Sequence, residues 1–107
     1  MKCNAYEIEI TKGHISIEFD SGDVKIESPR KKAIRDIVEM ITIHLLTDAI
    51  PSELVEIYEP DGWKVKFRCR GDEDYQEYEN VRFAGATLDI DNAKGIIDVT
   101  IEMAVII

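Results

Sequence analysis

Residues 30–49, RKKAIRDIVEMITIHLLTDA, are the stretch whose reading decides the fold. Ile34, Ile37, Val38, Ile41 and Leu45 recur at helical spacing and share one stripe. Just upstream, Ser28 and Pro29 offer an N-cap and a first-turn proline. That pattern predicts a single helix over 30–49, closed by Pro51. The opposite side of this helix is not polar, since Met40, Ile43, Leu46 and Ile50 lie there. A surface helix carries charge at such positions. The reading therefore needs a second cover, either further strands or a second protein molecule.

Upstream, apolar residues recur at every second position: Tyr6, Ile8, Ile10, then Ile15, Ile17, Phe19, then Val24 and Ile26. Period two means half-buried strands. With Lys12-Gly13 as a two-residue turn, Ile10 faces Ile15, Ile8 faces Ile17 and Tyr6 faces Phe19. With Ser21-Gly22 as the next turn, Phe19 faces Val24. A three-stranded meander follows. Downstream, Pro60-Asp61-Gly62 is a strong turn signal between Leu54–Glu59 and Trp63–Arg70, setting Ile57 against Val65 and Val55 against Phe67. In that register Glu56 faces Lys66 and Tyr58 faces Lys64, neutralising part of an outer stripe of Lys64, Lys66, Arg68 and Arg70. The last hairpin turns at Asn92-Ala93-Lys94-Gly95 and pairs Ile90 with Ile97 and Leu88 with Val99. Keeping Phe83 opposite Met103 then requires a bulge at Gly85. The final residues, Ala104-Val105-Ile106-Ile107, are apolar on both faces, which suits a strand paired on both sides. The expectation is one α+β domain over residues 1–107, in the order βββ-α-ββ-ββ, with antiparallel meander hairpins packed on one amphipathic helix.

Twenty-two acids against thirteen bases give a net charge of -9, of which residues 53–107 carry -7. Phosphates would be repelled, so direct contact with nucleic acid or an anionic membrane is not expected, whereas a basic protein partner is. No uncharged run approaches the ~20 residues needed to span a bilayer. Cys3 and Cys69 form no metal-ligand or redox spacing. Two lone cysteines fit a reducing cytoplasm, with Cys69 a buried inert thiol and Cys3 exposed.

The strongest compositional bias is GDEDYQEYEN, residues 71–80, with five acids and no base. Asp72, Glu73, Asp74, Glu77 and Glu79 can imitate a run of phosphates, while Tyr75 and Tyr78 supply apolar contact against a basic groove. The bland reading is a solvated edge whose charges block edge-to-edge pairing. A second acidic feature is Asp89 directly opposite Asp98, with Asp91 and Glu102 nearby. Facing like charges cost roughly 0.2–1 kcal/mol, which a cation or a basic partner would offset. No calcium loop is present, because the glycine falls one place late and the closing glutamate is missing. His14 and His44 lack a ligand-spaced neighbour, and a Cys69–His44 nucleophile pair has only residue type in its favour. No glycine-rich phosphate loop occurs. Neither catalytic residues nor a cofactor are therefore expected.

These features point to a non-enzymatic acidic protein-binding module. In composition alone, with no aligned motif, the chain resembles small phage-encoded inhibitors such as anti-CRISPR proteins, which implies blockade of a basic, nucleic-acid-binding surface on a target protein. The alternative is a homodimeric ligand-binding or enzymatic α+β protein with a pocket between helix and sheet. Its dimer would form through Met40, Ile43 and Leu46 or through the C-terminal strand.

Overall fold

The computed structural model describes residues 1–28, 37–50, 52–55 and 59–106. It is an all-β closed barrel of six antiparallel strands in the order β1-β2-β3-β6-β5-β4. The strands are β1 (Lys2–Lys12), β2 (Ile15–Glu27), β3 (Ile37–Thr47), β4 (Trp63–Cys69), β5 (Gln76–Asp91) and β6 (Ile96–Ile106). One short helical turn, α1 (Ser52–Val55), interrupts them.

The α+β expectation is thus corrected, and the correction lies in the stretch quoted first. Residues 30–36 of the expected helix fall outside the described residues, and the rest, Ile37–Thr47, is β3. There Ile41, Ile43 and Leu45 are buried while His44 and Leu46 are exposed, a period of two. The same isoleucines satisfy either period over so short a run. Two observations decide it: the Ile41-Thr42-Ile43 run is β-branched, and β2 and β6 both hydrogen-bond to it. The apolar second side, anomalous for a helix, is what a strand inside a barrel requires. Ile43 is fully buried and cannot serve a dimer contact.

The first hairpin keeps its faces but slips by two residues. Its turn is Gly13-His14, with Gly13 at φ +60, so that Lys12 faces Ile15, Ile10 faces Ile17 and Ile8 faces Phe19. Slipping by two preserves which side chains point inward. Ser21-Gly22 is not a turn. β2 runs straight through it and pairs with β1 as far as Lys2 opposite Lys25. At this level β1 bulges against β4, with Glu7 at φ 54, and the inward set changes from Ile8 and Ile10 to Ala5. Tyr6 is therefore half-exposed instead of inward. Gly22 allows the corner because a Cβ there would lie 3.1 Å from the His44 carbonyl oxygen and 3.1 Å from Leu45 Cβ.

The expected Leu54–Glu59 strand is also corrected. Leu54 and Val55 belong to α1, whose Leu54 is buried, and residues 56–58, with the contacts expected of Glu56, Ile57 and Tyr58, lie outside the described residues. β4 pairs instead with β1 and β5. The Pro60-Asp61-Gly62 turn is present, with Gly62 at φ +80, but it links α1 to β4. Lys12 clamps it through Glu59 (2.9 Å) and the Asp61 carbonyl (2.5 Å), Arg82 pairs with Asp61, and the Phe83 amide donates to the Pro60 carbonyl (2.9 Å).

The last hairpin has the expected register. Ile90 faces Ile97, Leu88 faces Val99, Asp89 faces Asp98, and a shift between Phe83 and Gly85 keeps Phe83 opposite Met103. β6 is paired on both sides, by β3 and β5, so the C-terminal strand offers no open edge. The barrel interior is wholly apolar among the described residues. Phe67, Ile8, Ile10, Ile17, Ile41, Ile43 and Ile101 are its largest fully buried side chains, each contributing about 1.5–3 kcal/mol. Among the described residues no long helix faces the sheet, so the pocket expected between helix and sheet is not formed there. Among the described residues no helix is long and apolar enough to cross a membrane.

Candidate interaction surface

Strand lengths determine where the barrel leaves surface open. β5 has sixteen residues and β4 seven, and β4 meets β5 only from Gln76 to Val81. At about 3.3 Å per residue, β5 drawn straight would span roughly 50 Å. Its ladders are irregular at two places, beside Asn80, which has φ 57, and beside Gly85. Beyond the bulge, Ala84–Asp91 pairs with β6 alone among the described residues. All eight of these residues are exposed.

The segment is a ribbon edge with two distinct faces. On the barrel-facing side stand Ala86, Leu88 and Ile90, of which Leu88 is 40% and Ile90 58% exposed, with no second strand beside them among the described residues. On the outer side stand Thr87, Asp89 and Asp91. Next to the ribbon, Leu46 (63% exposed) and Ile96 (37%) are shared by two adjoining shallow depressions. Asp20, Asp48, Asp89, Asp91 and Asp98 line those depressions, against the single cation Lys94 among the described residues. Exposed apolar residues with an acidic rim are the composition of a contact surface.

The sequence-selected acidic segment lies at the other end of β5 and divides into three parts. Asp72, Glu73 and Asp74 are exposed on the loop after β4, and no described cation pairs with them. Glu77 and Glu79 extend toward Lys66 (3.9 Å) and Lys64 (3.7 Å) across the β4–β5 ladder. The local neutralisation expected of the basic stripe therefore occurs, but with partners from β5. Tyr75 is half-committed: its hydroxyl donates to Glu7, which raises the pKa of the phenol, and Lys66 sits 4.1 Å above its ring. Arg68 joins the group through Glu7 (3.1 Å) and the Tyr6 ring (4.5 Å). Tyr78 stacks on Phe67 at 6.2 Å and belongs to the wall; its pKa is raised by burial and then by Glu39. The seven residues do not form one continuous strip of negative charge.

His44 accounts for part of the Asp89/Asp98 repulsion, because its Nε2 lies 2.6 Å from Asp98 Oδ1. No group of three or more metal-ligand side chains occurs among the described residues. The expectation of free cysteines is overturned, since Cys3 and Cys69 form a disulfide that ties β1 to β4 with Cα atoms 5.6 Å apart. This also removes the Cys69–His44 nucleophile pair.

No family model, curated protein or solved structure matches the chain.

Leu88, Ile90 and Ile96 were not selected from the sequence as surface residues, whereas Leu46 was named as a contact residue, though on a helix. The signal that could have found them is the length mismatch between the Trp63–Arg70 run and the run ending at Asp91. A seven-residue neighbour cannot cover both halves of a sixteen-residue strand.

Proposed function

We propose that this protein acts by binding another protein, and that the ribbon of β5 and β6 beyond Gly85 is its contact surface. The observation that carries the reading is the exposure of Leu88 and Ile90 on a β5 edge that, among the described residues, is paired on one side only. Net charge -9 makes a basic partner the natural one. In the sharper form of this reading, the partner surface is one that otherwise holds nucleic acid, and the chain blocks it. Asp72, Glu73 and Asp74, at the far end of β5, then extend the acidic footprint instead of forming its centre. A cytoplasmic setting is part of the proposal only if the disulfide survives there. Burial of Cys69, which is 5% exposed, supports such protection. Alkylation of the protein in its source cell, followed by mass spectrometry, reads that directly.

The reading is tested by selecting peptides from a random displayed library on the intact protein and mapping the winners by amide exchange. Protection should fall on 84–98. Protection confined to 72–79, or no enrichment over an unrelated barrel of equal charge, removes the ribbon as the contact surface.

A further inference from the structure

We infer that the occupant of the ribbon is an extended segment of a partner protein, alternating basic and apolar residues, that adds to β5 as a seventh strand between Ala84 and Asp91. The inference rests on the ribbon being the contact surface and names what binds there.

In an antiparallel pair only every second residue directs its N–H and C=O at the neighbour, so the remaining residues of Ala84–Asp91 direct theirs at the open side. An added strand satisfies these groups, the mode in which a peptide extends an exposed sheet edge. At the Gly85 end the protein already does this once, where the Phe83 amide donates to the Pro60 carbonyl at 2.9 Å.

Side-chain chemistry then selects the sequence of the occupant. Even-numbered Ala86, Leu88 and Ile90 face the barrel side, and odd-numbered Asp89 and Asp91 face outward with Asp98 one strand further in. A strand beside β5 must alternate in the same sense, with apolar residues beside Leu88 and Ile90 and its other residues beside the aspartates. Arginine or lysine suits the second set. Among the described residues Lys94 is the sole cation lining the depression, Asp91 accepts only the Ala93 and Lys94 amides, and His44 is engaged with Asp98. Charge also decides against a second copy of this chain, because bringing two ribbons together gathers Asp89, Asp91 and Asp98 of both into one interface, each molecule carrying -9.

The test uses the full-length oxidised protein and three synthetic nonapeptides. One alternates lysine with valine or isoleucine, one has the same composition scrambled to break the alternation, and one alternates glutamate with valine or isoleucine. The alternating basic peptide should bind at least about tenfold more tightly than the scrambled one, and should weaken as salt is raised. On binding, alternate amides of 84–91 should become protected while those of 72–79 stay unchanged. In the Asp89→Lys/Asp91→Lys variant the preference should invert, the glutamate peptide then binding better than the lysine peptide; circular dichroism and Tm confirm that the variant is folded. Equal binding of the alternating and scrambled peptides at the ribbon would overturn the inference while leaving the ribbon as the contact surface. Absence of binding by the alternating basic peptide would also overturn it, as would self-association of the protein through the β5 edge seen in sedimentation.

Discussion

The two halves of β5 carry the same kind of sequence and meet different fates. In the first half, Glu77 and Glu79 reach Lys66 and Lys64 on β4, and Tyr78 packs against Phe67. In the second half, Asp89 and Asp91 have no neighbouring strand on that side among the described residues, and Leu88 and Ile90 stand exposed. Both halves alternate apolar with acidic. What differs is whether β4 is beside them, so a carboxylate becomes available to a partner where a strand is missing, independent of how many acids stand in a row.

The largest effect separating the halves should come from the apolar side chains. Phe67→Ala, inside the barrel, should cost about 3–5 kcal/mol, whereas Leu88→Ala on the ribbon should cost under about 1 kcal/mol. Urea unfolding of the two variants checks this. Comparable losses would mean that the ribbon is part of the core and not an exposed surface.

Next in size is the disulfide, which fastens the body at the acidic-loop end and leaves the ribbon untouched. Its cysteines lie 66 residues apart, and closing a loop of that length stabilises by about 4 kcal/mol in the chain-entropy account. Cys3→Ser/Cys69→Ser should lower the Tm accordingly. Binding of the alternating basic peptide at a temperature where the variant remains folded should persist, and its loss there would show the halves to be coupled.

The smallest effect concerns the junction where β5 leaves the body. Lys12, by hydrogen bond and then charge, holds the Glu59 carboxyl below its usual pKa, and the hydrogen bond from Arg82 does the same for Asp61. A lowered folded-state pKa gives stability that is present above the ordinary carboxylate range and fades as pH falls through the lowered values. Both groups are exposed, so the change is modest. Thermal unfolding from pH 7 to pH 3 should show a slightly steeper acid-side loss in the unmodified protein than in Lys12→Met. Parallel curves would mean that the clamp adds nothing.

Legibility of the fold followed the reach of each interaction. The last hairpin could be read because its register, its Gly85 bulge and the Asp89/Asp98 pair follow from a short loop and strict alternation. The first hairpin was legible in the inward faces of Ile8, Ile10, Ile17 and Phe19 but not in its turn, since a slip of two residues keeps them inward, while Tyr6 and Ile15 turned out half-exposed and exposed. β3 was misread because Ile37, Ile41 and Leu45 satisfy a helical period as well as a strand period, and its partners β2 and β6 lie far away in sequence. The Cys3–Cys69 bridge was hidden for the same reason. Of the candidate surface, its acidity and the aspartates of the last hairpin were visible. The open edge was not, because it exists only by the absence of a neighbour.

By itself, then, the sequence determined what depends on adjacent residues: alternation, turn glycines, net charge and the pairing of β5 with β6. The tertiary structure alone decided that residues 37–47 are a strand, that two distant cysteines meet, and which carboxylates remain without a base beside them. Those outcomes turn on which strands become neighbours when the barrel closes. Closure is set by burial summed over the whole chain, which no local stretch encodes.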